Sequence, residues 1–251
     1  MIRAIIFDLD GTLAQTEKLK ALSYARAAVE LSPQPLTEAE VIEAFKEVVG
    51  LSRQEVAEKL IARFGLEENA RKRMAEFDVK LPWQAFVQVR LQTYNAMLAD
   101  PLLLQRHRCP YNMALLRWAR RHEYRTGLAT MSYCAQARRV LEILGIHDKF
   151  DFIATRDDVA LGKPDPEIYH LVAKQLDIPP PQCLVIEDSA SGLKAAIAAG
   201  MACIAVTTEF TREAVYAGKL LEPRWIVDDP AKLVDIAKLM IFEREKSFEH
   251  G

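Results

Sequence analysis

The chain has 251 residues, 50% hydrophobic and 27% charged, which supports a sizeable core and fits one large domain or two unequal ones. Its 33 Lys and Arg against 35 Asp and Glu give a formal net charge of -2, so no global basic field exists to hold nucleic acid or an anionic membrane, and an anionic ligand must be held locally. The first residues lack the basic, apolar and small-residue sections of a signal peptide, no apolar run approaches the ~18 residues of a membrane span, and Cys109, Cys134, Cys183 and Cys203 stand apart without a CxxC pair; these features predict a cytoplasmic protein with four reduced thiols.

In chain order, Ile2 to Phe7 is a short apolar, β-rich run that halts at Asp8-Leu9-Asp10-Gly11-Thr12, the pattern of a buried parallel strand entering a loop. From Glu17 to about Ala99 the pattern turns helical, with Val41, Phe45, Val48 and Val49 on one stripe and Phe86, Val89, Arg90, Thr93 and Tyr94 on another. Pro33, Pro35 and Pro82 punctuate it. About 110 residues separate Leu13 from the next strand-like run, where one crossover needs only a dozen or so. An insertion follows from that count. Residues 16–98 are expected to form a helical cap, joined through hinges near 14–17 and 98–110 to a core of residues 1–15 and 99–251.

The remaining strand-like runs are Arg125 to Thr130, Phe150 to Thr155, Cys183 to Glu187 and Ala202 to Val206, each followed by a helix-like stretch at the spacing of βαβ units. They predict an α/β core, a doubly wound Rossmann-like parallel sheet. Pro164 and Pro166 suit the opening turn of a helix through Ile168, Leu171, Val172 and Leu176; Ser189 can cap Ala190 to Ala199, and Gly200 can close it. Ala231 to Phe248 reads as an amphipathic helix with a charged end.

Ligands of an open parallel sheet bind beyond the carboxyl ends of its strands. Those ends carry Asp8 and Asp10, Thr130 and Ser132, Lys163 in a following loop, and Glu187 with Asp188. The set offers a nucleophile, a proton-transfer carboxyl, hydroxyl donors, one fixed cation and oxygen ligands for a hard metal. A carboxylate attacking an anionic substrate meets like-charge repulsion of roughly 4 kcal/mol per unit-charge pair at ~4 Å. A divalent cation and an ammonium are the groups that offset it.

Four segments, Asp8-Leu9-Asp10-Gly11-Thr12, Leu128-Ala129-Thr130-Met131-Ser132, Gly162-Lys163-Pro164-Asp165-Pro166 and Glu187-Asp188-Ser189-Ala190-Ser191-Gly192, resemble, in order, the signatures of the haloacid dehalogenase-like phosphohydrolases, in the branch with a helical cap. The resemblance implies a phosphatase acting on a small phosphorylated metabolite such as a sugar phosphate, with Mg²⁺ as cofactor and Asp8 as the nucleophile that becomes an aspartyl-phosphate. It also implies Asp10 as acid and base and as a metal ligand through its carbonyl, with Asp8, Asp188 and, through the outer shell, Glu187 as the other metal residues. Thr130, Met131 N–H, Ser132 and Lys163 are the implied phosphate contacts. Gly50-Leu51-Ser52-Arg53 is similar to the family's substrate-specificity loop, which offers Arg53 to the substrate; a surface arginine opening a helix is the plain alternative. Arg90 is a second candidate anion contact, against the plain reading of an exposed helix arginine. Ser132 and Ser189 also read as capping or loop hydroxyls, and His107, His122, His147, His170 and His250 show no ligand spacing.

Two alternatives accompany the phosphatase. The cap-and-core layout is similar to β-phosphoglucomutase, but Gln15 stands where the family usually has Asp, and Lys20 where such mutases carry a cap histidine. A protein of the same fold that binds or regulates without turnover is the other. A dehalogenase fits less well, since it needs no metal and usually lacks the second aspartate, here Asp10. The expected partner is a small phosphorylated substrate, with no nucleic acid and no membrane, and the chain is expected to be a monomer or homodimer.

Overall fold

Ala4 to Phe7 is wholly buried, which suits a central strand covered on both faces, and it anchors the sheet of the computed structural model, which describes residues 1–49 and 51–249. In chain order the elements are β1 (Ala4–Phe7), α1 (Thr16–Leu31), α2 (Glu38–Lys46), α3 (Arg53–Phe64), α4 (Glu67–Lys72), α5 (Pro82–Ala99), α6 (Pro101–Arg106), α7 (Pro110–Arg121), β2 (Arg125–Ala129) and α8 (Cys134–Leu144). Then come β3 (Phe152–Ala154), α9 (Glu167–Leu176), β4 (Cys183–Glu187), α10 (Ala190–Ala198), β5 (Ala202–Val206), α11 (Arg212–Gly218), β6 (Ile226–Val227) and α12 (Leu233–Glu249). Two compact units result, Met1–Gln15 with Leu104 onward, and Thr16–Leu103.

The first unit holds a six-stranded sheet in the order β3-β2-β1-β4-β5-β6, parallel throughout. It is the doubly wound core expected above, with a short edge strand, β6, that the sequence reading did not contain. Ile6 pairs Gly127 on one side and Val185 on the other, so β1 and β4 flank the point where the strand order reverses, the place where such sheets bind ligands. Alternation along the strands splits the core. Ala4, Ile6, Cys183, Val185, Cys203 and Ala205 pack with Ile168, Tyr169 and Val172 of α9 and Leu193, Ala195 and Ala196 of α10. Ile5, Phe7, Leu184, Ile186 and Ile204, equally buried, alternate with them toward the opposite face. Gly127 lets α9 approach closely, because a Cβ there would collide with Val172. Cys183 and Cys203 are buried thiols, and all four cysteines are free.

The chain leaves and re-enters this unit through two segments tied to each other: Gln15 N–H donates to His107 O (2.7 Å) and Cys109 N–H to Leu13 O (2.9 Å). The second unit is helical. α1 packs on α2 and α5, and α3 and α4 pack on α5, with Tyr24 stacked on Phe45 at 5.4 Å and tilted against Phe86 at 5.8 Å. Thr37 with Glu40 and Ser52 with Glu55 form capping boxes that start α2 and α3. No helix among the described residues is long and apolar enough to cross a membrane.

Candidate active site

The loop after β1 is fixed by its own backbone. Asp8 N–H donates to Ile186 O (3.0 Å), extending the ladder with β4, and Leu13 N–H donates to Leu9 O (2.9 Å). Gly11 takes φ +83°, a left-handed conformation that costs glycine no steric strain. Asn112 on α7 clamps the loop from behind through Nδ2 to Thr12 O (2.6 Å). These bonds hold Asp8 and Asp10 at the carboxyl end of the central strand.

Their side chains turn to different partners. Asp10 Oδ2 accepts from Ser132 Oγ (2.5 Å) and Thr130 Oγ1 (3.5 Å), and Thr130 Oγ1 accepts from Ser132 N–H (3.0 Å). Ser132 thus serves the carboxylate of Asp10, a contact beyond the loop or phosphate-binding roles read from the sequence. Asp8 Oδ1 instead accepts from Lys163 Nζ (2.8 Å).

Lys163 uses all three of its N–H bonds: to Asp8, to Ala129 O (3.0 Å) and to Glu187 Oε1 (2.5 Å). Its loop is seated by Met131, whose sulfur accepts from Lys163 N–H at 3.4 Å; the Lys163–Pro164 peptide is cis. Burial opposes a charge on this ammonium, but Asp8 and Glu187 outweigh it and raise the lysine above its ordinary range. Burial, with Glu187 and Asp10 adding to it, lifts the Asp8 carboxyl from 3.8 to about 8 against the opposing pull of Lys163.

Glu187 is the most fully bonded group of the set. Oε1 accepts from Lys163 and from Tyr169 Oη (3.0 Å); Oε2 accepts from Asp188 N–H (2.9 Å), Ser189 N–H (3.0 Å) and Ser189 Oγ (3.0 Å). Ser189 also caps α10 by accepting from Gly192 N–H (3.0 Å), as expected of it. A Cβ on Gly192 would collide with the Glu187 carboxylate, so that glycine is required by contact.

Ligand oxygens of Asp8, Glu187 and Asp188 lie within 4.8 Å of one another, and all three residues are buried. The donors are carboxylates alone, which suits a hard cation such as Mg²⁺ over softer metals. Because both Glu187 oxygens already accept hydrogen bonds, Asp8 and Asp188 are the two of the three that could hold an ion, with Glu187 bonded to the chain behind them.

The core unit therefore brings together Asp8, Asp10, Thr130, Met131, Ser132, Lys163, Glu187 and Asp188. Arg53 and Arg90 belong to the helical unit. Arg53 is exposed at the first turn of α3, while Gly50 of the same segment, like His250, lies outside the described residues. Arg90 corrects the expectation of an exposed helix arginine: it is 4% exposed, its planar guanidinium lying over the rings of Tyr94 (4.3 Å) and Tyr24 (4.8 Å), an arrangement that arginine sustains better than lysine. Sequence reasoning missed Tyr169, Asn112 and the sulfur of Met131, and it placed Gly192 in a signature segment without its contact to Glu187. Tyr169 carried a usable signal, since it falls on the buried stripe Ile168, Tyr169, Val172, Ala173 and Leu176 of α9, where a phenol needs a partner.

A family model described as haloacid dehalogenase-like hydrolase matches residues 2–200. Protein CbbY of Cereibacter sphaeroides is 31% identical over 223 residues, covering 87% of this chain and 90% of its own. The phosphorylated carbohydrates phosphatase of Thermotoga maritima is 30% identical over 203 residues, covering 80% and 82%. Among solved structures, a CbbY variant from Rhodobacter sphaeroides in complex with xylulose-(1,5)bisphosphate superposes with a TM-score of 0.68 at 26% identity, over 93% of this chain and 96% of that one.

Proposed function

This chain belongs to the haloacid dehalogenase-like hydrolase family, and from that membership we propose that it is a Mg²⁺-dependent phosphatase of a small phosphorylated metabolite, in the class of sugar phosphates. The observation that carries the reading is the buried Lys163 ammonium joining the carboxylates that end β1 and β4, beside Asp188. One ammonium does not balance the carboxylates of Asp8, Glu187 and Asp188, and a divalent cation is the group that would offset the excess and let a phosphoryl group approach. A relative named as a phosphatase of phosphorylated carbohydrates and one solved in complex with xylulose-(1,5)bisphosphate support the substrate class.

In this reading, Asp8 and Asp188 with the carbonyl of Asp10 would hold Mg²⁺, which would offset the charge on the phosphoryl oxygens. An oxygen of Asp8 forms a bond to phosphorus as the ester P–O bond breaks, giving an aspartyl-phosphate. Asp10, its carboxylate steadied by Ser132 and Thr130, protonates the leaving oxygen. It then takes a proton from the water that attacks phosphorus, which frees inorganic phosphate and restores Asp8. Lys163, held rigidly by three acceptors, balances charge gathering on the phosphoryl group. The helical unit, Thr16–Leu103, acts as the cap and sets selectivity, with Arg53 as its proposed substrate contact, while Arg90, buried against Tyr24 and Tyr94, supports the packing of that unit.

A panel of phosphorylated metabolites assayed with Mg²⁺, with chelator and with Asp8→Asn tests the reading. Phosphate release that disappears with chelator and in the variant is the expected result. Interconversion of glucose 1- and 6-phosphates outrunning release would replace it with a mutase, and silence across the panel with a binding role.

A further inference from the structure

We propose that Tyr169 is a positioning residue of this site, its phenol fixing Glu187 Oε1 and thereby setting where the Lys163 ammonium stands against Asp8. The inference rests on the phosphatase reading above. Tyr169 is fully buried, and its ring lies 5.0 Å from Lys163 Nζ. Its hydroxyl donates to the same Glu187 oxygen that accepts from Lys163, while the other Glu187 oxygen is taken up by Asp188, Ser189 and the capped start of α10. Oε1 is therefore the atom whose charge decides how the ammonium is shared.

With the phenol in place, part of that oxygen's charge is met by a neutral donor, and Lys163 keeps its bond to Asp8 Oδ1 (2.8 Å). Without it, Glu187 faces Lys163 alone and draws the ammonium away from the atom that receives the phosphoryl group. Charge builds there as the reaction proceeds, so the loss falls on the chemical step more than on substrate binding. Tyr169→Phe isolates the effect, because it keeps the ring over the ammonium and the packing in the core while removing the hydroxyl.

The experiment is steady-state kinetics of the full chain with Mg²⁺ on a phosphate ester that the wild type hydrolyses, alongside Tyr169→Phe, Glu187→Gln and the double variant. A roughly tenfold fall in kcat, equivalent to about 1.4 kcal/mol, with KM within about twofold is expected of Tyr169→Phe. In the Glu187→Gln background the same change should add less than about twofold, since both act through one carboxylate. A lowered melting temperature with kcat preserved would make Tyr169 merely structural and overturn the inference, as would full additivity with Glu187→Gln. Should Glu187→Gln fail to fold, the split between kcat and KM in Tyr169→Phe decides alone. Unchanged kcat in Tyr169→Phe beside loss of activity in Asp8→Asn overturns the inference and leaves the phosphatase standing; a wild type inactive on every ester overturns both.

Discussion

Lys163 is the residue on which charge balance turns. Its side chain is 4% exposed and contacts two acids that are themselves buried, so removing it leaves the Glu187 carboxylate buried without its counter-charge. Breaking a buried pair in this way costs about 3–5 kcal/mol. Lys163→Met is therefore expected to lower stability by that order in metal-free buffer, read from denaturant midpoints, and to lower phosphate release roughly a thousandfold. Activity retained within tenfold would remove Lys163 from the chemistry. The same residue-level logic explains why Ser132 and Arg90 were hard to read from the sequence. A serine after a strand fits a loop as well as a bond to Asp10, and an arginine on a helix gives no sign that Tyr24, from the first helix of the same unit, stacks on it.

At the scale of elements, the turn from β4 into α10 concentrates the requirements: Glu187 ends the strand, Ser189 caps the helix, and Gly192 leaves room for the carboxylate. Gly192→Ala forces a methyl group into a carboxylate held by five donors, and overpacking of this kind costs about 1–3 kcal/mol. The expected outcome is a lower thermal midpoint together with reduced activity. Gly200→Ala is the comparison, since at φ +76° it is strained but meets no atom within 4 Å; it should lose stability and keep kcat. Equal kcat in both variants would show that the Glu187 cradle is dispensable. These elements were largely legible: β4 and β5 span the residues their apolar runs mark, and Ser189 caps where its type and place suggest. β6 was not, because two residues at a sheet edge carry too little pattern to register. Tyr169 was hidden differently: its helix was readable, but its partner Glu187 comes from a strand, and only tertiary packing joins them.

At the scale of the whole molecule, folding places Asp8 where burial lifts its carboxyl to about 8. A carboxyl raised above its unfolded value holds a proton that the unfolded chain releases. Its stabilising contribution is thus complete below about pH 4 and is lost as pH rises through 8. A cation at Asp8 and Asp188 must displace that proton, so Mg²⁺ is expected to bind more tightly from pH 6 to 8 and to level off above. The rise in melting temperature at fixed Mg²⁺ reports it. A shift independent of pH across that range would separate metal binding from Asp8. The expectation of an inserted helical segment at residues 16–98 rests on the count of about 110 residues, which exceeds any single crossover; the compact helical unit spans Thr16–Leu103.

The central claim, that Asp8 receives a phosphoryl group beside a divalent ion, can be tested without knowing the substrate. Fluoroberyllate, a tetrahedral phosphoryl mimic that binds carboxylates, should give protein-bound ¹⁹F resonances that appear with Mg²⁺ and vanish with chelator and in Asp8→Asn. Resonances that persist in Asp8→Asn, or none in the wild type at saturating Mg²⁺, would contradict it.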